Sequence, residues 1–314
     1  MKINKAFFSV VLCAGILVSV ASLADDNVKH IKPVFYDEAQ TAEYLTNGDY
    51  IDNFGTFDIQ SRLHRNSGTL DDVKTLYKRQ ACSWRDEAIN AVQSSLDKLN
   101  KNIDSLGYKL PLPENVPFML TTMHEEGDAE AYTCKEGIAL RYNIFQEETD
   151  FLIAHELFHV LSRNNQNFKR EIYKLIGFEV LNNDIAVPDT FKNVMISNPD
   201  VEHHNTYAPF KIGGKSVDCA MFIYSDREYK GGSFFGYLNI GLLEIDKKKC
   251  SLVLKDGWPV IHEVSEAEDF YDKVGTTTDY IIDPEEILAD NFANVLCGYV
   301  REGITQSIQE LLLK

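Results

Sequence analysis

The feature that most constrains this chain is an apolar run, residues 151–161, that contains two histidines and a glutamate. Polar and acidic residues flank the run on both sides, which predicts one short helix with those ends. The apolar positions cover the whole circumference of that helix, so we expect it to be buried. A buried helix needs partners for His155, Glu156 and His159, because an unpaired polar group inside a protein is costly.

The spacing of these three residues is typical of a zinc site. His155 and His159 lie one helical turn apart and share a face of the helix. The pattern His-Glu-x-x-His therefore predicts one Zn²⁺ ion per chain, held by both imidazoles. Glu156 is turned about 100° away from His155, so it reaches the water of such a zinc more readily than the metal. A pair of core histidines satisfied by hydrogen bonds is the structural alternative.

The first 24 residues have the composition of a secretory signal peptide. Lys2 and Lys5 precede an apolar stretch, residues 6–20, and small residues stand just before Asp25. No later stretch of sequence approaches the ~18 to 20 apolar residues of a membrane span, so we expect an exported soluble protein, periplasmic or secreted. Removing the segment takes away two lysines and no acid, which changes the formal charge from −17 to −19. That charge argues against nucleic acid or an anionic membrane as a partner.

Five cysteines remain once Cys13 leaves with the signal peptide, so at least one thiol has no internal partner. Export permits disulfides, and Cys219 and Cys250 form the first candidate pair because both lie in stretches with a strand pattern. The spacing does not fix the connectivity. The sequence contains no Cys-x-x-Cys, so we do not expect a structural zinc held by cysteines.

Residues 25–314 are predicted to form one domain of the α+β class, because no linker, low-complexity tract or repeat divides them. We expect four parts in order: a helical N-terminal part at about 68–107, a sheet with the metal helix at about 115–163, a β-rich insertion at about 205–255, and a ligand helix with C-terminal helices at about 266–314.

Periodicity predicts the individual elements. The chain before residue 70 is expected to be irregular, and residues 182–209 mostly loop. Apolar spacing predicts helices over 70–79, 86–106, 168–180, 267–274, 284–299 and 304–313. Strands are predicted over 116–123, 129–134 and 138–142, of which the last two form a hairpin that leads into the metal helix.

A catalytic zinc needs a third protein ligand. The metzincin pattern would place a histidine at position 165, which is Asn165 here, so that arrangement is excluded. The predicted helix 284–299 places Glu286 and Asp290 on one face with small residues, which allow another helix to approach closely. Glu286 is the preferred ligand, and Glu285 is the rival that lacks an acidic neighbour one turn on. A capping box at the start of the helix is the structural alternative for Glu286.

His155-Glu156-x-x-His159 followed on a later helix by Glu286-x-x-x-Asp290 resembles the gluzincin group of zinc metallopeptidases. The resemblance covers about a third of the chain. It implies a zincin-like core, in which a mixed sheet carries the His-Glu-x-x-His helix and a C-terminal ligand helix. It also implies that Glu286 is the third zinc ligand and that Asp290 hydrogen-bonds the first histidine.

The resemblance extends to substrate binding. The hairpin strand Ala131, Tyr132 and Thr133 is similar to the edge strand on which gluzincins hold an extended substrate. Some members of the group place a tyrosine as Tyr280 is placed here, shortly before Glu286, which implies a hydroxyl that stabilises the oxyanion. Three residues of an earlier loop are the other candidates for this donor: His203, His204 and Tyr207.

The predicted function is hydrolysis of peptide bonds by an exported zinc peptidase. Zinc would lower the pKa of its water, and Glu156 would accept the proton as the general base. The expected partner is a peptide or protein substrate. Two alternatives stay open: a secreted zincin-like binding protein without turnover, and a zinc amidase that acts on cell-wall peptides. The intact Glu156 favours an enzyme but does not distinguish protein from peptidoglycan substrates.

We expect the exported protein to begin near Asp25, because the basic start, the apolar stretch and the small residues before it form a cleavable leader. Intact-mass measurement of the exported protein checks this. A mass that still includes Met1 would show that the segment is not a signal peptide.

Overall fold

The predicted α+β class is confirmed by a computed structural model, which describes residues 30–143 and 149–314. The predicted signal peptide and its cleavage site lie outside these residues. Within the two described ranges, no helix combines the length and apolar composition needed to cross a membrane.

The structure contains helices and strands throughout the described residues. The helices are α1 (Glu38–Thr46), α2 (Asp49–Asp52), α3 (Thr56–Leu63), α4 (Leu70–Gln80), α5 (Asp86–Leu106), α6 (Thr149–Asn164), α7 (Gln166–Lys174), α8 (Asp189–Lys192), α9 (Phe270–Val274), α10 (Pro284–Leu296) and α11 (Ile304–Leu312). The strands are β1 (Pro33–Phe35), β2 (Val116–Thr121), β3 (Ala131–Cys134), β4 (Gly137–Arg141), β5 (Glu179–Val180), β6 (Thr206–Ile212), β7 (Lys215–Tyr224), β8 (Asn239–Asp246), β9 (Ser251–Leu252), β10 (Leu254–Lys255), β11 (Trp258–Pro259) and β12 (Ile261–Glu263).

The first sheet carries the predicted metal helix. Its strand order is β1-β2-β4-β3, with β1, β2 and β4 parallel and β3 antiparallel at one edge. Every residue of β2 is buried, as expected for a strand covered on both faces. The hairpin of β3 and β4 precedes α6, in the order that the sequence predicts.

Helix α5 packs its apolar stripe into the main core. Val92, Leu96, Leu99 and Ile103 are buried at alternating four- and three-residue spacing, and they share one cluster with residues of α6 and α10. The helix has the predicted bounds, because a strong 3.6-residue periodicity is a local signal.

The second sheet lies in the region that the sequence predicts to be β-rich. Its order is β12-β8-β7-β6-β5, and β9 also pairs with β8. The sheet extends beyond the predicted range at both ends, to β5 and to β12. The helix predicted over 168–180 ends at Lys174 because the chain turns at Gly177, whose positive φ of 75° suits glycine, and then enters β5.

The candidate disulfide between Cys219 and Cys250 is absent, and all five cysteines of the described residues are free thiols. Cys219 is buried within β7, opposite Glu244 of β8. Cys250 lies in the turn beyond the end of β8, where its thiol donates to the Asn183 carbonyl over 3.2 Å.

The sequence predicts an irregular chain before residue 70. The structure shows instead that this stretch forms β1 and the helices α1 to α3. These helices are short, and only Thr41 and Leu45 of α1 are buried, so no amphipathic period marks it in the sequence. A capping box between Asp37 and Gln40 begins α1. Helices of this length depend on tertiary packing for their stability, which a local pattern does not register.

A buried ion pair holds the stretch before residue 70 to the rest of the protein. Arg62 of α3 donates to the Glu126 carboxylate over 2.8 Å, and both side chains are almost fully buried. The hydroxyls of Tyr50 and Tyr77 also donate to Glu126. The same guanidinium donates to the Ser197 carbonyl over 2.7 Å. Residues 197–202, which we call the cap segment, are therefore fixed from the N-terminal side.

We expect Arg62→Ala to lower the free energy of unfolding by about 3 to 5 kcal/mol, because Glu126 would stay buried without its cation. Arg65→Ala is the matched control: Arg65 pairs with Asp72 at the surface with 52% of its side chain exposed, and such pairs contribute about 0 to 1 kcal/mol. Urea denaturation of both variants measures the difference. Equal losses for the two would contradict the importance of the buried pair.

Candidate metal centre

The candidate site forms where α6 packs against α10. His155 and His159 lie on the face of α6 that contacts α10, and the facing turns of α10 carry Ala289 and Ala293, both fully buried. These small side chains allow the two helices to approach closely. Glu286, on the same helix, is thereby placed against both histidines.

Three side-chain atoms converge at this contact. The Glu286 carboxylate Oε2 lies 3.0 Å from Nε2 of His155 and 3.6 Å from Nε2 of His159. Two ligands about 2.0 Å from a tetrahedral zinc are separated by about 3.3 Å, which lies between these two distances. The three residues are buried, and their ligand atoms lie within 4.8 Å of one another, so this group can hold a metal ion.

A buried nitrogen atom without a hydrogen-bond partner favours a metal at this position. Nε2 of His159 is buried and has no hydrogen-bond partner among the described residues. A bound cation would satisfy that nitrogen, whose isolation is otherwise costly. Two imidazoles and one carboxylate are a donor set that several divalent transition metals accept.

Asp290 hydrogen-bonds the first histidine, a contact that the gluzincin resemblance implies. Its carboxylate accepts from Nδ1 of His155 over 2.8 Å, and the Thr278 hydroxyl donates to its other oxygen. With the proton on Nδ1, the lone pair of Nε2 faces the Glu286 carboxylate, where a metal would bind both. Burial alone would raise the pKa of Asp290, but the hydrogen bond and charge of His155 outweigh it, so the pKa lies below its usual value.

Glu285 contacts the second histidine, a contact that the sequence does not predict. Glu285 appeared in the sequence analysis only as a rival ligand without a useful neighbour, yet its carboxylate lies 3.2 Å from Nδ1 of His159. The hydroxyls of Ser162 and Tyr173 donate to the same carboxylate. Burial tends to raise its pKa, but the bond from His159 and the charge of Lys169 lower it to about 2, so Glu285 stays ionised. Glu285 and His159 are 126 positions apart, so no local spacing predicts their contact.

The Glu156 carboxylate is held by the edge strand. Thr133 of β3 donates its hydroxyl to Oε2 of Glu156 over 2.8 Å. Only 3% of Glu156 is exposed, and burial raises its pKa although the neighbouring imidazoles act in the opposite direction.

A cleft of about 1150 Å³ opens onto these side chains. The lining includes the following residues at and beside the metal group: His155, Glu156, Asp200, Glu286 and Asp290. Ala131, Phe235 and Tyr280 also line it. The Tyr280 ring lies 6.2 Å from the ring of His155 and is 41% exposed, so the predicted oxyanion donor faces the cleft beside the metal group.

Of the three predicted substrate-binding residues, one lines the cleft and two have partners within the protein. Ala131 lines the cleft. Tyr132 is buried, and its hydroxyl donates to Glu125 over 3.1 Å. The Thr133 amide already donates to Oδ1 of Asp200 over 2.6 Å, so that part of the strand has no donor left for a substrate.

The cap segment contributes two site residues that the sequence analysis did not identify. Asn198 donates its side-chain amide to Oε1 of Glu286 over 2.5 Å. Asp200 brings a carboxylate oxygen within 4.8 Å of ligand atoms of Glu156 and His159. Burial and the charge of Glu156 raise the pKa of Asp200 well above its usual value. Both residues are ordinary loop residues in sequence, and only the fold brings them to the metal group.

The other candidates for the oxyanion donor are engaged elsewhere. His203 bonds Asp184 at the surface. His204 stacks on Phe222, and burial lowers its pKa to about 4. Tyr207 donates its hydroxyl to Glu179 over 2.7 Å. None of the three lines the cleft described above.

Comparison with known proteins gives one match. A family model described as the eCIS core domain matches residues 120–167, under a sixth of the chain. This stretch begins near the end of β2 and includes β3, β4 and all of α6, so it is the hairpin and metal helix that resemble that domain. No curated protein and no solved structure matches the chain.

We expect Glu286→Ala to lose the metal at micromolar concentrations, because two imidazoles alone remain. Asp290→Asn and Glu285→Gln should each weaken metal binding by about 10- to 100-fold, since each removes the anion that orients one histidine. Competition with a coloured chelator measures these affinities, and the exposed Glu87→Gln on α5 is the control. A site emptied by Glu285→Gln but still loaded in Glu286→Ala would reverse the two assignments.

Proposed function

We propose that this chain is an exported zinc-dependent peptidase built on a zincin-like core. One observation carries the proposal: His155, His159 and Glu286 converge on one point, and the carboxylate of Glu156 lines the same cleft. When bound, zinc polarises a carbonyl group and lowers the pKa of a water molecule to about 7. An arrangement with a buried base beside such an ion suits hydrolysis of an amide.

Glu156 is the general base in this proposal. It accepts a proton from the attacking water and later delivers it to the nitrogen of the departing amine. The Thr133 hydroxyl keeps the carboxylate in place during both transfers, because its one proton is shared between Oε2 and the Glu156 carbonyl, which lies 3.0 Å away. Neither of these bonds uses a residue that holds the metal.

Tyr280 is the proposed donor to the oxyanion. Its position in the cleft beside His155 supports this role. Desolvation beside the metal group and the charges of Glu286 and Asp200 raise the pKa of Tyr280 above its usual value, so the hydroxyl stays protonated and able to donate near neutral pH.

The zincin-like core rests on the arrangement of a few elements. A mixed sheet ends in the antiparallel edge strand β3, α6 carries both histidines, and α10 supplies the acidic ligand. The cleft is large enough for an extended peptide, which is the proposed substrate. Export to the periplasm or the medium rests on the sequence of residues 1–24.

The match to the eCIS core domain favours a second candidate, a part in an extracellular injection system. The matched stretch includes His155, Glu156 and His159, so this candidate is compatible with a peptidase. A binding protein without turnover differs from a peptidase because it does not need Glu156 as a base.

We expect Glu156→Gln to abolish peptide hydrolysis while metal content stays near one ion per chain, because the base is lost and the ligands are not. A peptide-library digest read by mass spectrometry, with and without chelator, measures hydrolysis, and elemental analysis measures the metal. Cell-wall peptides are included among the substrates. Wild-type protein that binds zinc but cleaves nothing would favour the binding protein, and an active Glu156→Gln would contradict the role of the base.

A further inference from the structure

The free edge of strand β3 faces the cleft only in part. Alternate residues of a strand direct their backbone N–H and C=O groups to the same edge, so Ala131 and Thr133 face away from β4 together. Ala131 lines the cleft, whereas the amide of Thr133 is bonded to Asp200. The edge is therefore open to a partner strand at Ala131 and closed two residues later.

The closure at Thr133 involves its acceptor as well as its donor. Arg163 of α6 lies with Nη1 3.4 Å from the Thr133 carbonyl and 3.1 Å from the Lys135 carbonyl. The same guanidinium donates to the carbonyl of Pro199 over 2.7 Å and pairs with Glu202 over 3.1 Å. Arg163 thus fastens the cap segment to the end of β3.

The cap segment is held at its other end too. Asp58 accepts from the backbone amide and the hydroxyl of Ser197, over 2.9 and 2.8 Å, while Arg62 holds the Ser197 carbonyl. Asn198 bonds Glu286 of the metal group. Because hydrogen bonds fix the cap segment at both ends, it forms a rigid boundary of the cleft.

The cap segment lies beside the catalytic base, Glu156. Thr133 bonds the Glu156 carboxylate through its side chain and Asp200 through its backbone amide. A strand rises about 3.3 Å per residue, and the contact with Asp200 lies two residues beyond Ala131, so a substrate paired at Ala131 has room for about two residues before it reaches the cap segment. In the opposite direction the cleft continues past Ala129, Glu130 and Arg141.

We propose that the cap segment makes the protein trim peptides near their N-termini, with Asp200 as the residue that sets the limit. This inference rests on the proposed function. A substrate that pairs antiparallel to β3 exchanges both hydrogen bonds of Ala131 with one of its own residues, and its N-terminal side then points to Thr133 and the cap. Hydrolysis adds one water, whose hydroxyl goes to the carbonyl carbon and whose proton goes to the nitrogen of the departing longer peptide.

Two peptide series test the proposal on the zinc-loaded, full-length exported protein. Both contain the best bond from the library digest; one lengthens the N-terminal side from one to six residues, and the other lengthens the C-terminal side. We expect kcat/KM to fall about tenfold or more beyond two N-terminal residues, since the edge offers no further hydrogen bonds there. C-terminal extension should change it by less than about threefold.

Variants of the cap should move the limit. Asp200→Ala frees the Thr133 amide, so kcat/KM for long N-terminal sides should rise about tenfold relative to short ones. Faster hydrogen exchange at the Thr133 amide verifies the opening in a folded variant without reference to activity. Arg163→Gln, which releases the Thr133 carbonyl and Pro199, should shift the preference in the same direction. Asp200→Asn retains an oxygen for the amide and should keep the wild-type limit, as should the surface control Asp184→Asn.

The outcomes distinguish this inference from the function on which it rests. Equal kcat/KM for all N-terminal lengths, or a limit on the C-terminal side instead, would overturn the trimming role and leave the peptidase intact. An Asp200→Ala variant that exchanges faster at Thr133 yet keeps the wild-type length limit would remove Asp200 as its cause. Zinc-loaded protein that cleaves no peptide would overturn the proposed function and this inference with it.

Discussion

The contact between α6 and α10 is the interaction on which the rest of the structure depends, because it brings many charged groups into the interior. Glu156, Glu285 and Glu286 are at most 3% exposed, and His155 and His159 lie among them. Removing each charge from water costs several kcal/mol unless a partner compensates for it. Hydrogen bonds to Thr133, Ser162, Tyr173 and Asn198 supply part of that compensation. A divalent cation at the convergence point of the ligands would supply more, which would couple metal binding to the stability of the helix pair.

Where sequence analysis succeeded, the signal was local. The bounds of α5 follow from its apolar period, and the metal-group residues of α6 and α10 follow from residues one helical turn apart within each helix. The bond from His155 to Asp290 was implied by the gluzincin resemblance, because Asp290 follows Glu286 by one turn. The spacings within each helix do not depend on the order of strands or the length of loops. The bond from His155 to Asp290 joins two helices, so only the resemblance implies it.

Where it failed, the deciding contact joins distant parts of the chain. Glu285 holds His159 across 126 positions, and Arg62 holds Ser197 across 135. Helices α1 and α2 have few buried residues, and three of the four buried residues of α3 are polar, so no apolar period marks these helices. Helices this short depend on tertiary packing for their stability. The candidate disulfide failed for the same reason: Cys219 and Cys250 share a strand pattern but not a place in the sheet.

The buried polar network around Arg62 and the network around the metal group meet at the cap segment. Arg62 and Asp58 hold Ser197, the first residue of the segment, and the next residue, Asn198, bonds the Glu286 carboxylate. Because Asn198 follows Ser197 directly, a displacement of Ser197 would move the amide that bonds Glu286. The N-terminal helices, which contain none of the metal-group residues, therefore help to position both the acidic ligand and the cap segment beside the edge strand. That connection gives a physical reason for the burial of Arg62, although Arg62 lies far from the metal helix in sequence.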